Sequence, residues 1–186
     1  VFVKILGRIR GITMSERVLI VIDMQNDFID AALGTKEAVA IVDDVKKKIE
    51  EYVSRGDEVI FTRDTHQEDY MNTNEGKHLP VPHCMEGTDG WQIREGLVPE
   101  DYEKLTIIDK PNFGFYGWDA FEFSEDTEFE LIGLCTDICV TSNAILLKTF
   151  YPENMVKVDS KCCAGVTPES HDAALLTMKM CQVDVI

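Results

Sequence analysis

What this chain does without narrows what it can be. No apolar run in its 186 residues approaches the roughly 20 that a membrane span requires. Cys84, Cys135, Cys139, Cys162, Cys163 and Cys181 show no C-x-x-C spacing, which favours reduced thiols in a cytoplasmic protein over a disulfide framework. Positive charge is scarce: 18 Lys+Arg stand against 34 Asp+Glu, a net −16. That balance argues against nucleic acid and anionic membrane surfaces as partners. There is no internal repeat, no low-complexity tract and no linker long enough to divide the chain. Residues 14–186 are therefore expected to form one domain. Val1 to Thr13, basic and weakly apolar ahead of Met14, reads as an extension outside it, with a short amphipathic targeting helix as the alternative.

What is present alternates between two periods. Arg17 to Asp23 is a continuous apolar run ending in an acid, as a strand covered on both faces requires. Thr35 to Ser54 carries a helical stripe of Ala38, Ile41, Val42, Val45, Ile49 and Val53. Asp43→Lys47 and Asp44→Lys48 are expected as outer pairs. Further strands are expected at Glu58 to Arg63, Lys104 to Asp109, Glu128 to Leu134, Met155 to Asp159 and Val183 to Ile186. Helices are expected at Ile138 to Tyr151 and from Thr167, with Pro168 in its first turn, to about Cys181. Asp64 to Pro99 has little periodicity, and a loop of that length is usually functional or disordered. Pro111 to Phe123, rich in glycine and aromatics, is expected to wrap a site. Strands separated by helices or long crossovers predict an α/β fold, a doubly wound parallel sheet between two helical layers.

In such sheets ligands bind beyond the carboxyl ends of the strands. Those ends carry Asp23, then Asp64 and His66, then Lys110, then Cys139. Singly each is unremarkable, because strand ends are often polar; together they supply an acid, a metal-ligand pair, a base and a thiol. Cys139 is expected in a first helical turn capped by Thr136 or Asp137, where the helix dipole would draw its pKa from roughly 8.5 toward neutrality. It would attack a carbonyl carbon while Asp23 takes the thiol proton and Lys110 stabilises the charges. Asp64 and His66, two apart on an extended segment, share a face. With His83 they make a carboxylate–imidazole–imidazole set suited to a divalent transition metal, with Glu75 or His78 as a further ligand. Cys84, adjacent to His83, should point the other way. Cys162-Cys163 reads as packing, and His171 as a surface residue.

The motifs VIDMQNDF (Val21 to Phe28), TRDTH (Thr62 to His66), VPHCMEGTDG (Val81 to Gly90), DKPNFGF (Asp109 to Phe115) and GLCTDICV (Gly133 to Val140) together resemble the isochorismatase-like cysteine hydrolases, and within them the nicotinamidase/pyrazinamidase branch. The resemblance spans Arg17 to Ile186. It implies a six-stranded parallel sheet and catalytic roles for Asp23, Lys110 and Cys139. It implies a divalent metal (zinc, with manganese or iron as alternatives) at Asp64, His66 and His83, joined in some members by the position of Glu75. It also implies a cis peptide before Cys135, with the backbone N–H groups of Cys135 and Cys139 forming the oxyanion hole. Asn26 and Phe28 match positions near the substrate. Some members stack the substrate ring on an aromatic shortly before the position of His83, where this chain has Leu79 and Pro80; Phe113 and Tyr116 are the candidates to replace it. The implied reaction converts nicotinamide to nicotinate and ammonia through a thioester, a step of NAD salvage.

Four functions are thus open to the sequence: this amidase; a related cysteine amidase for another small amide; a metal hydrolase in which Cys139 only packs; and a non-enzymatic binder on the same fold. The first is expected. A small-molecule amide is the expected partner, with neither nucleic acid nor membrane, in a homo-oligomer.

Overall fold

A computed structural model describes Ile5–Leu6 and residues 17–186. The reading of Val1 to Thr13 as an extension lies outside the described residues, apart from Ile5–Leu6. These two form a short strand, β1, antiparallel to Ile107 and Ile108.

The frame is a parallel sheet built from β2 (Arg17–Ile22), β3 (Glu58–Asp64), β4 (Leu105–Lys110), β5 (Glu128–Leu134), β6 (Val156–Ala164) and β7 (Asp184–Val185). The spatial order is β1-β4-β3-β2-β5-β6-β7. The six strands from β2 onward pair in parallel, as the sequence predicts, and β1 adds an antiparallel edge. Chain order reverses between β2 and β5, the position at which a doubly wound sheet opens a crevice.

Side-chain alternation divides the core into two layers. From β2, Leu19 and Val21 join one apolar cluster with Ala38, Val45 and Ile49, whereas Ile20 and Ile22 join another with Leu147 and Met178. The helices account for this split. After a single turn, α1 (Asn26–Ile29), the long α2 (Lys36–Arg55) covers the first face. Thr35 caps α2 by accepting the Ala38 N–H at 3.0 Å, and Gly56 ends it in the left-handed region at φ 74°. A short α3 (Asn74–His78) follows in the long loop, while α4 (Thr141–Phe150) and α5 (Pro168–Met180) cover the second face. Thr167 and Ser170 close a capping box ahead of α5. Among the described residues no helix is long and apolar enough to cross a membrane.

Two expectations need correction. Lys48 does not pair with Asp44: it turns toward the sheet, 2.6 Å from Glu130 and 2.9 Å from Asp159, leaving Asp44 to Lys47. Tyr52 donates its hydroxyl to the same Glu130, so a carboxylate buried in the helix–sheet seam is satisfied there. The fifth parallel strand, β6, runs five residues beyond the expected Asp159. The polar Asp159-Ser160-Lys161 reads as a strand end, yet it falls where the pairing with β5 shifts register between Leu131 and Gly133, and β6 resumes at Cys163.

Candidate active site

Close approach of β2 and β5 sets the floor of the crevice. A Cβ at Gly133 (φ 116°) would lie 2.1 Å from the Ile22 carbonyl oxygen, so only glycine allows this spacing. Just beyond β2, Asp23 is fully buried at φ 46°, a left-handed conformation that aspartate tolerates. Its Oδ1 accepts the Thr62 hydroxyl at 2.6 Å.

Lys110, at the end of β4, is also fully buried. Its Nζ is 2.6 Å from Asp23 Oδ2, 3.6 Å from Cys139 Sγ and 3.8 Å from Asp64 Oδ1, and it donates to the Asn112 carbonyl at 3.2 Å. Burial disfavours the ammonium, but the attraction of Asp23, Cys139 and Asp64 together carries the Lys110 pKa upward. Asp23 moves the other way from a typical ion-paired acid: its desolvation outweighs the pull of Lys110, and its carboxyl is raised above the ordinary range.

The segment after β5 differs from its expected form. The Leu134–Cys135 peptide is cis, as the resemblance implies. Thr136–Val140 then forms a turn of π-helix, and α4 starts only at Thr141. Neither expected cap acts as one. The Thr136 hydroxyl pairs with His171 Nδ1 at 2.8 Å, and the Asp137 carboxylate accepts the Val166 N–H. His171, half-buried, is thus tied to the turn that carries Cys139 and is not simply a surface residue. Nor is the Cys139 thiol drawn toward neutrality: burial pushes it well above its ordinary value, Lys110 at 3.6 Å offsets this in part, and the negative charges of Asp23 and Asp64 add to the rise. Desolvation outweighs a dipole confined to one turn.

On the same rim Asp64, His66, Glu75 and His83 bring one ligand atom each to within 4.8 Å of one another. His66 Nε2 lies 2.9 Å from Asp64 Oδ2 and 3.5 Å from Glu75 Oε1; His83 Nε2 lies 3.6 and 3.8 Å from the same two oxygens. His83 Nδ1 donates to the Val81 carbonyl at 2.8 Å, which leaves Nε2 free to point at the cluster. Asp64 Oδ1 and His66 Nε2 are buried without hydrogen-bond partners. Burial would raise the Asp64 pKa, but Lys110 and the two histidines override it and hold the carboxyl well below the usual carboxylate range. Glu75 is raised by burial and by Asp64 facing it. Two crowded carboxylates, two inward imidazole nitrogens and orphaned buried atoms suit a divalent cation such as zinc. His78 turns its Nδ1 to the Asn74 carbonyl and stays outside the set. Cys84 is buried and is not one of the set, and its N–H is donated to Asp27.

Cys139 and the four clustered residues Asp64, His66, Glu75 and His83 line one cavity of about 880 Å³. Phe28 and Phe113 line it; Asn26 and Tyr116 do not. The Asn26 amide is committed to the Asp89 carbonyl at 2.9 Å, and Tyr116 is exposed against Phe115. The aromatic stretch expected to wall the site therefore contributes Phe113 alone, while Phe115 and Trp118 enter the core. Their direction is set by Asn143, a residue not singled out in the sequence. Its Oδ1 accepts from Phe115 N and Trp118 Nε1, both at 2.9 Å, and its Nδ2 donates to the Cys139 and Phe113 carbonyls. Gln25, equally unforeseen, is fully buried and clamps the Asp64 backbone through both its N–H and its carbonyl. Gln25 stands among polar neighbours in Asp23-Met24-Gln25-Asn26-Asp27 and Asn143 follows Thr141-Ser142, so no local pattern marks either one.

Comparison with known proteins places the chain in a family with the same fold. The isochorismatase domain family matches residues 17–186. A probable inactive nicotinamidase of Arabidopsis thaliana is 30% identical over 177 residues, covering 87% of each chain. The crystal structure of the nicotinamidase PncA from Bacillus subtilis superposes with a TM-score of 0.75 at 25% identity, covering 92% of this chain and 99% of that one. The pyrazinamidase of Pyrococcus horikoshii in complex with zinc gives 0.74 at 24% identity, covering 92% and 99%.

Proposed function

Starting from the chain's membership of the isochorismatase domain family, we propose that it is a cysteine amidohydrolase that converts nicotinamide to nicotinate and ammonia. One observation carries this reading: the buried Lys110 ammonium lies between the Asp23 carboxylate at 2.6 Å and the Cys139 sulfur at 3.6 Å, and Cys139 itself lines a ligand-sized cavity.

The buried thiol rests neutral beside Lys110, which also holds Asp23. As the sulfur attacks the amide carbon, its proton passes to Asp23, whose raised affinity for protons fits it as a base in a dry site. Lys110 stays charged and stabilises both the emerging thiolate and the carboxylate. The carbonyl oxygen takes up the negative charge facing the N–H groups of Cys135 and Cys139, a contribution worth roughly 2.7–4 kcal/mol per donor. Collapse of the adduct breaks the C–N bond, and Asp23 returns the proton to the departing nitrogen as ammonia leaves. Asp23 then takes a proton from water, which attacks the thioester carbonyl. The acid is released and the proton returns to sulfur. Asp64, His66, Glu75 and His83 would hold the divalent ion, and a Lewis acid bound there supplies a seat for the ring nitrogen of the substrate. Phe28, whose ring is 5.5 Å from that of His83, forms the adjacent apolar wall.

The test is ammonia release from nicotinamide by the zinc-loaded protein, with metal content measured on the same preparation. Cys139→Ala is expected to lower kcat by about 10⁴-fold or more while keeping its metal. A variant that keeps most of its turnover would instead make bound water the nucleophile and end the thioester reading.

A further inference from the structure

The cavity is larger than that reaction requires, and its walls are uneven in chemistry. Its volume of about 880 Å³ lies toward the top of the roughly 300–1,000 Å³ range of pockets that enclose drug-sized ligands, whereas a single-ring carboxamide is far smaller. The carboxylates and two of the three lining imidazoles gather at one cluster, while His78 lines the cavity outside it with its Nδ1 turned to the Asn74 carbonyl. Other parts of the wall come from separate segments and are apolar: Leu33 and Ala38 from the approach to α2 and its first turn, Phe113 after β4, Ile138 in the nucleophile turn, and Val166 before α5. Phe113 and Val166 are 46% and 51% exposed, so this part of the wall has no protein partner of its own. Neither lysine nor arginine is among the lining residues, in a chain of net charge −16. An acidic substituent would find no counter-charge there, and an apolar one would find several side chains to cover it.

We propose that this wall is a second subsite that accepts an uncharged aryl or alkyl substituent on the amide substrate, so that the preferred substrate is an apolar-substituted heteroaromatic carboxamide rather than the bare ring. The proposal rests on the amidase reading of the same site, and it predicts selectivity against amides whose extension carries a carboxylate.

Binding is measured first, by calorimetry on zinc-loaded Cys139→Ala protein, which keeps ligands intact. The ligands are nicotinamide, nicotinamides bearing phenyl or butyl at ring carbons remote from the carboxamide, and the matching carboxyphenyl compounds. Apolar substitution is expected to tighten Kd by at least about tenfold, since even one methylene in an apolar pocket is worth roughly 10–200-fold. The carboxyphenyl compounds should lose that gain, and Val166→Asp should lower the ratio of substituted to bare affinity. If the substituted amides bind no tighter than nicotinamide at any ring position, or bind tighter without any response to Val166→Asp, the subsite does not exist. Ammonia release by the zinc-loaded protein with its native Cys139 separates the two ideas. Nicotinamide turnover without an affinity gain overturns only the subsite. An affinity gain without turnover of any amide supports the subsite and overturns the reaction.

Discussion

Lys110 is the residue on which the site's charge balance turns. A fully buried ammonium stays charged because the carboxyl groups of Asp23 and Asp64 lie 2.6 and 3.8 Å from it. Its removal would leave Asp23 buried and uncompensated at the crevice floor. Lys110→Met is expected to abolish turnover and to lower unfolding free energy by about 3–5 kcal/mol, read from urea denaturation followed by circular dichroism. A variant as stable as the parent would show that Asp23 is neutral in the resting protein. Cys139 bears on a related point: in the proposed reaction a thiol need not be a thiolate at rest when Lys110 beside it also holds the base, Asp23. Slow alkylation of Cys139 at neutral pH and fast acylation by substrate are therefore compatible.

At the scale of elements, the nucleophile turn is held from behind. Asn143, on α4, ties the Cys139 carbonyl to the loop after β4 through four hydrogen bonds. It sits on the helix that follows the turn, so helix and loop move as one body. Asn143→Leu keeps the volume and strips the partners from the Phe115 N–H and the Trp118 indole N–H. At roughly 1–3 kcal/mol for each buried group left unsatisfied, a loss of about 3 kcal/mol is expected. A fall in kcat should accompany it, because the turn that orients Cys139 loses its anchor. Unchanged denaturation midpoints would mean that water replaces the amide. Gly133 acts through the same strand pair: no side chain fits between β5 and β2 without pushing their backbones apart.

Across the whole molecule, thiols, tyrosines and lysines respond alike to alkali. Burial raises the thiols of Cys84, Cys139 and Cys163, and carries Cys135 and Cys162 to about 12. Burial likewise takes Tyr151 to about 12, and burial together with Glu130 raises Tyr52. In the unfolded chain the thiols ionise from their ordinary value of 9.0. Above that pH the unfolded chain binds fewer protons than the folded one, so stability is complete below about 9 and is lost as pH rises toward the folded-state values. Urea midpoints should hold between pH 7 and 8 and fall steadily from pH 9 to 11, by roughly 1.4 kcal/mol per pH unit for each group still protonated in the fold. A flat profile over that interval would mean that the thiols already meet solvent.

The sequence by itself determined the parallel sheet, the helix over residues 35–54 and which acids, base and thiol stand at the strand ends, because each rests on a local signal: a continuous apolar run, a 3.6-residue stripe, a polar residue closing a strand. The tertiary structure alone decided how those residues behave and what supports them. Lys48 was read from spacing as an outer partner of Asp44, but Glu130, 82 positions away, lies closer in space. Asn143 and Gln25 carry no local signature, since their hydrogen bonds span loops that only folding brings together. The choice of Glu75 over His78 has the same origin: their spacing admits both, and only the packed loop selects which one turns inward. The state of Cys139 was the least legible of all, because desolvation depends on every atom packed around the sulfur and a helix-dipole argument counts only one turn.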